Sequence, residues 1–561
     1  MSTRAQIGAS APCVKTRAAA QIVAAVVQLE QRADECFVSL ELLKLHANIV
    51  LWSTLVGGIK LVEEQIAIHG DNSAQFDAAL INIGRFIPVA LKWAAEHAKP
   101  ASTLASRHWT PSLDAKVRTA LEVAHQYDGF CACFPLWHKD RCAVELISPT
   151  VARFTMPGSA RNRQVSAYQK SIRPKEGAHK GQRARKPDQT PRVQELFRQV
   201  FKIWRKTGRL RFDYGDPWHL WRALLPEYQA RVNAIARRDS SLSLGDYSLA
   251  DFNQLHAALS AVCAAHEFLC FEWGRKSGLY PFDSAVLVRP RSSWITILSE
   301  LSDLAPKKCE IIISDLTFDF SSPSCSLDLR IQPFVPLDSS MMTLAIAPQF
   351  PLHSRPDENI LRVCSVLRPA EFDAASLKKE SDMRTDLQEK CSVHPMQGPV
   401  PLPKPTPDID LIVTDESSST IVIAEMKWIR KTVRPIERIA RDTDVLKGIG
   451  QLQQIRRFLV EHPTHLRSVG RLPNSMDEYR NCYYLLVARD HWLWVEPAEG
   501  AAIVEFEPFA AALSRPVSLN SAMSDLLRYE WLPIEGRDFY VRYDTLTANG
   551  ASIQSEVFYA L

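Results

Sequence analysis

Several features are missing from this 561-residue sequence, and each absence narrows what it can be. No stretch reaches the 18 or more apolar residues of a membrane span. The nearest, Asn48 to Ile59, is too short. The opening residues, Met1-Ser2-Thr3-Arg4-Ala5-Gln6, hold no apolar secretion core. Twelve cysteines are scattered without a CxxC pair. One cluster, Cys131, Cys133, His138 and Cys142, has gaps unlike a zinc knuckle, and a C-x-C pair on a strand would point its thiols to opposite faces. Together these absences predict a cytoplasmic protein with free thiols and no membrane partner. There is no Gly-rich phosphate loop, no GxSxG and no HExxH, so nothing indicates an ATP-driven motor, a serine hydrolase or a zinc protease. No internal repeat is apparent. The formal charge is only +4, so the molecule as a whole is no polycation.

What charge excess there is lies in one place. Residues 161–212 carry sixteen Lys and Arg against Glu176, Asp188 and Glu195, a local excess of +13. The first half reads as a mobile arm. The second half, Val193 to Thr207, has apolar residues at helical steps. Such a block can clamp a phosphate backbone by releasing condensed counterions. Arg183, Arg185, Lys186, Arg205 and Lys206 are its nucleic-acid-binding candidates. Its alternative is a solvated basic loop.

The most informative segment is Pro407-Asp408-Ile409-Asp410-Leu411-Ile412-Val413-Thr414, a polar turn, and Ile421-Val422-Ile423-Ala424-Glu425-Met426-Lys427-Trp428. Two β-type runs around a polar turn predict an antiparallel hairpin. If Thr414 pairs with Ile421, Asp410 lies opposite Glu425 and Asp408 opposite Lys427. Alternation then puts all four on one face and Ile409, Leu411, Val413, Val422, Ala424 and Met426 on the other. Opposed carboxylates repel unless a cation lies between them. Downstream, Leu446, Ile449, Leu452, Ile455 and Leu459 mark one face of a helix, and Lys447, Gln451 and Gln454 mark another. Upstream, Glu371 to Lys390 is helix-like and contains Glu380.

Asp410 and the Glu425-x-Lys427 pair resemble the PD-(D/E)xK nuclease superfamily in order, spacing and strand context. That resemblance implies a restriction endonuclease-like α/β core, a mixed sheet flanked by helices. It implies that Asp410 and Glu425 hold Mg²⁺ or Mn²⁺, and that Lys427 places or activates the attacking water. Gln451 looks like the Gln that many members carry on the next helix, though Ile455 stands where the fuller motif has Tyr. Glu380 is the candidate for the acidic residue that the superfamily often carries on the preceding helix, with Glu371 and Glu389 as competitors. Asp408 is a further candidate, supporting the ligands or replacing one, and Lys447 adds a contact to nucleic acid. The implied activity is metal-dependent hydrolysis of phosphodiester bonds in DNA, in defence against foreign DNA or in repair. The alternative is a nucleic-acid-binding or assembly protein with a catalytically silent nuclease fold.

The expected organisation is a helical bundle at 1–125 and a mixed, mainly helical region at 126–305 containing the basic arm. A β-rich segment at 306–368, with strands at Cys309 to Leu316, Leu327 to Val335 and Met342 to Ala347, then the nuclease core at 369–510, closed by strands at Cys482 to Val487 and His491 to Val495, and C-terminal strands packed on that core at 511–561 follow. A helical N-terminal region this long is expected to recruit a protein partner or to form a homodimer.

Overall fold

The structure is a computed structural model. It describes residues 17–70, 74–100, 107–155, 160–167, 216–235, 242–278, 280–320, 328–338, 340–353, 356–429, 435–469, 475–489 and 500–560, with isolated positions 195 and 198. It is a mixed α/β architecture with a helical N-terminal region. The helices Arg17–Asp34, Ala47–His69, Ala74–His97 and Pro111–Cys131 come first. Trp52, Leu55, Ile59, Ile87, Leu91, Val117 and Leu121 are buried between them. No helix among the described residues is long and apolar enough to cross a membrane.

The strands, in chain order, are β1 (Ala143–Ser148), β2 (Val151–Thr155), β3 (Leu287–Pro290), β4 (Val335–Pro336), β5 (Thr343–Ile346), β6 (Met396–Gln397), β7 (Leu411–Asp415), β8 (Thr420–Trp428), β9 (Asn481–Arg489), β10 (Ala502–Glu505), β11 (Phe539–Ala548) and β12 (Ala551–Ala560). They form three sheets, ordered β1-β2-β12-β11, β3-β5-β4 and β10-β9-β8-β7-β6.

The five-stranded sheet is mixed. β6, β7 and β8 run antiparallel in sequence, and β8-β9 and β9-β10 pair in parallel. Antiparallel neighbours need only a turn, whereas parallel ones need a crossover. Here the helix Pro435–Glu461 connects β8 to β9. The hairpin turn is shaped by Asp415. Its carboxylate accepts the backbone N–H of Ser417, at 3.0 Å, and the hydroxyls of Ser417 and Ser418. Helices cover both faces. On one, Met383 and Leu387 of the helix Pro369–Lys390, with Phe506, Phe509, Leu519 and Met523, pack on Leu411, Val413, Val422, Ala424 and Met426. On the other, Ile455 and Leu459 of the crossover helix pack on Ile412, Ile421 and Ile423. β8 is therefore apolar on both faces for most of its length, as a central strand must be.

Several sequence expectations are corrected. Cys309 to Leu316, expected as a strand, lies in the helix Pro306–Asp315. Pro306 opens it, and Cys309, Ile312 and Ile313 form its buried stripe. The segment 306–368 is thus more helix than strand. The last two strands do not pack on the core sheet. β12 pairs in parallel with β2, so β11 and β12 extend a sheet begun far upstream. The start of the basic block is not an arm, because Ala160–Ala167 is helical. Arg163 there bonds Glu556 at 2.9 Å, and Val165 is buried. Arg183, Arg185, Lys186, Arg205 and Lys206 lie outside the described residues. So does the expected strand at 491–495, and the strand after β9 is β10.

Candidate active site

The hairpin register sets the site. Thr414 pairs with Ile421 and Leu411 with Ala424, so continuing one step brings Asp410 to Glu425. Asp410 sits where the regular ladder ends. Its Oδ2 accepts the backbone N–H of Met426 at 2.9 Å, which ties it across the hairpin beside Glu425. Glu425 is 2 % exposed, and its Oε1 receives Lys427 Nζ at 2.8 Å. Lys427 also faces Glu380 Oε1 at 3.9 Å. Glu380 comes from the helix Pro369–Lys390 and accepts the Trp428 backbone N–H at 3.4 Å. The structure thus brings Glu380, Asp410, Glu425 and Lys427 together at the C-terminal end of β8.

Asp408 does not join them. Ile409 pairs with Val400 rather than with the hairpin, through N–H···O=C bonds of 2.8 and 2.9 Å. Its side chain packs with Ile412, Ile421 and Ile423, on the face opposite to the one alternation assigns it. The side-chain phase therefore slips between 409 and 411. Asp408 turns outward, where its Oδ1 accepts from Leu402 N–H at 3.2 Å and Lys404 Nζ at 3.4 Å. Gly398 permits this crossing. A Cβ there would collide with the Asp410 carbonyl.

The crossover helix reaches the same end of the sheet. A Cβ on Gly448 would lie 2.7 Å from Leu486 Cδ1 and 3.4 Å from both Cγ and Cε of Lys427. Glycine at this position lets the helix press directly on the lysine stem. Gln451 follows almost one turn later, on the same side. Its Oε1 is buried and has no hydrogen-bond partner among the described residues. A buried unpaired acceptor costs about 1–3 kcal/mol, which makes a missing partner at this position chemically informative. Lys447 is exposed on this helix. Leu446 is also exposed, and Val445 replaces it in the buried stripe.

Sequence reasoning missed two contributors. Arg384 Nη1 donates to Asp410 Oδ1 at 3.2 Å. It stands four residues after Glu380, one helical turn along the same face, which was the available signal. The other is Gly448, recognisable only once the helix is docked.

Three carboxylates thus share two cations, with Glu425 the most buried of the set. Burial, and then the charge of Asp410, push Glu425 up to about 7, against the pull of Lys427. Burial also raises Asp410, offset by the Met426 N–H and by Lys427 and Arg384. Burial raises Glu380, and Lys427 opposes it. Burial works against the Lys427 ammonium, but Glu425 and Glu380 outweigh it and hold its pKa above the ordinary lysine value. Lys427 therefore stays protonated at neutral pH.

Among the described residues no group of three or more His, Cys, Asp or Glu side chains is placed to hold a metal by itself. A hard divalent cation that keeps several waters needs only one or two carboxylates. The pair Asp410 and Glu425 fits that demand. Its donors are all oxygen, and Glu425 is destabilised by its carboxylate neighbour. No protein-family model, curated protein or solved structure matches the chain.

Proposed function

We propose that this chain is a metal-dependent nuclease of the restriction endonuclease-like class, hydrolysing phosphodiester bonds in DNA. The observation that carries the reading is the convergence of Asp410, Glu425, Lys427 and Glu380 at one end of β8. The order of elements supports it: a helix bearing an acidic residue, the Asp strand, the Glu-x-Lys strand, then a crossover helix bearing Gln451.

Asp410 and Glu425 would hold Mg²⁺ or Mn²⁺, which when bound would supply Lewis-acid charge beside the water and the scissile phosphate. The chain's own groups do the rest. Lys427 is kept protonated by Glu425 and Glu380, so it donates hydrogen bonds to the attacking water and to the phosphate oxygens as charge builds there. It is not the base. The Met426 N–H fixes the Asp410 carboxylate against rotation. Gln451 Oε1, buried and unbonded, is an acceptor open to a water or substrate group, and Gly448 keeps Lys427 from swinging away.

The Arg384–Asp410 bond favours the second reading, in which the fold grips nucleic acid without cutting it, because an arginine already neutralises one ligand. Cleavage assays on supercoiled and linear DNA separate the two. With Mg²⁺ or Mn²⁺ the intact chain should cut. Asp410→Ala, Glu425→Ala and Lys427→Ala should each reduce the rate at least about 100-fold, without adding in combination because the three act as one unit. Undiminished cleavage by the Glu425 variant would refute the assignment. DNA binding without cleavage by the intact chain would favour the silent fold.

A further inference from the structure

The two outer edges of the β1-β2-β12-β11 sheet are not alike. β1 is short and its pairing with β2 is broken by a bulge between Leu146 and Ser148, a common way of closing an edge. β11 runs from Phe539 to Ala548 in unbroken register with β12 and carries neither proline nor lysine. The helix Pro111–Cys131 packs on this strand through Gly129 against Leu546, but a long edge without bulge or proline remains a template for another strand.

The hairpin geometry shows which groups face outward. β11 and β12 join through Asn549-Gly550, both at positive φ, 46° and 73°, and close on the pair Ala548–Ala551. A two-residue loop of this kind makes the flanking pair hydrogen-bonded, and bonded pairs then alternate along the ladder. Residues 540, 542, 544 and 546 thus bond inward to β12, and Val541, Tyr543, Thr545 and Thr547 point their N–H and C=O groups outward. Two observed bonds agree with this phase: Gly536 N–H reaches the outer side of β11 at Phe539 O, 2.7 Å, and Ser552 N–H turns away from β11 to Thr150 O, 2.8 Å. From Tyr540 to Thr547, no described residue bonds the outer edge of β11.

We propose that this edge pairs with the same edge of a second copy of the chain, antiparallel, about a two-fold axis at Tyr543. Symmetry allows an antiparallel self-pair to centre on any residue, so charge decides the register. Centring on Arg542 or on Asp544 sets like charges face to face. Centring on Tyr543 sets Arg542 of each copy opposite Asp544 of the other, twice across the axis. That choice also makes Tyr543–Tyr543 and Val541–Thr545 the hydrogen-bonded pairs, which the outward groups require. Arg542–Asp544 falls on the non-bonded pairs, where side chains are closest. Arg542 and Tyr543 are exposed, and Tyr543 is 41 % exposed, so the side chains that would meet are available. The result is one continuous sheet across the dimer. This inference is independent of the proposed nuclease activity.

The test is the mass of the full chain by sedimentation equilibrium and light scattering. The intact chain should be a dimer. Arg542→Asp places four acidic residues across the axis and Asp544→Arg places four basic ones, so each variant alone should be monomeric. Mixed together, the two variants regain opposite charges at both positions and should form a one-to-one heterodimer. The double variant R542D/D544R should again be a homodimer. Asp544 also accepts the Tyr559 hydroxyl at 2.7 Å, so Tyr559→Phe is the control and should stay dimeric. Thr545→Pro removes an outward N–H but no bond to β12, and should give a folded monomer. A monomeric intact chain overturns the proposal and leaves the edge for some other strand. Dimers indifferent to the single charge reversals, or a mixture that stays monomeric, overturn it as well.

Discussion

The sharpest physical consequence of the site is the cost of charging Glu425. Its carboxyl is pushed up to about 7 by burial and by Asp410, against an ordinary value of 4.5. The folded chain therefore holds a proton at this position over a range where the unfolded chain has released it. Stability from this group is complete below pH 4.5, falls as pH rises, and is gone above about 7. The shift corresponds to about 3 kcal/mol. Only 2 % of the residue is exposed, so solvent screening removes little of it. Glu425→Gln keeps the shape and removes the titration. Measured by calorimetry in EDTA from pH 5 to pH 8.5, the gap in melting temperature between variant and intact chain should widen in the variant's favour as pH rises. Unfolding of so large a chain is not all-or-none, so the relevant transition is the one the substitution moves. For a unit of 150–250 residues, 3 kcal/mol amounts to roughly 5–10 °C. Adding Mg²⁺ at pH 8 should raise the intact chain toward the variant and leave the variant unmoved. Parallel profiles across the pH range would show that Glu425 is not strained, and the electrostatic account of the site would fail.

Two other outcomes follow from the geometry and the charge distribution. Gly448→Ala puts a methyl group 2.7 Å from Leu486 Cδ1 and against the Lys427 stem; it should cost about 1–3 kcal/mol in urea unfolding and lower the cleavage rate by displacing the lysine. Deleting residues 168–186, which leaves the docked Ala160–Ala167 helix in place, should weaken DNA binding and reduce the slope of log K against log salt by about 0.9 per lost phosphate contact, with turnover at saturation unchanged.

The hairpin could be read from the sequence because its turn and its apolar pattern agree. Asp415 and the serines fix the turn, and a slip of one residue would have driven Glu425 and Lys427 into the layer filled by Ala424 and Met426. Glu380 came from the family resemblance alone, and only the docked helix separates it from Glu371 and Glu389 by setting it 3.9 Å from Lys427 Nζ. Asp408 was misplaced because alternation presumes a regular strand. The crossing with Val400 ends that regularity, and nothing local at Pro407-Asp408 announces it. The helix Pro306–Asp315 was misread because Ile311-Ile312-Ile313 has strand-like composition. Burial of Ile312 and Ile313 with Cys309 follows the helical period instead. The pairing of β12 with β2 spans some 400 residues, and no local pattern encodes a partner so distant.

A salt-bridged hairpin with no function would be expected to balance its charges. Ordinary cross-strand pairs do so, and a buried ion pair that is fully compensated adds little stability either way. Here Asp410, Glu425 and Glu380 face only Lys427 and Arg384, and the deficit falls on the most buried carboxylate of the set. Other carboxylates of the chain are compensated, Asp328 by Arg330 and Asp315 by Arg368 and the Tyr247 hydroxyl, whereas Glu267, near Glu63, is likewise pushed up, to about 8. Replacing Glu425 with a neutral or apolar residue would relieve the strain at a stroke, so stability alone gives no reason to retain it. An added divalent cation would give one. It would satisfy Glu425 and Asp410 together, release Arg384 to meet a phosphate, and leave Lys427 aimed at the reacting centre. The stabilisation missing from the protein's own residues is thus of the sign that such an ion provides, which is why the pH-dependent response to Mg²⁺ tests cation binding and the site's electrostatics in one measurement.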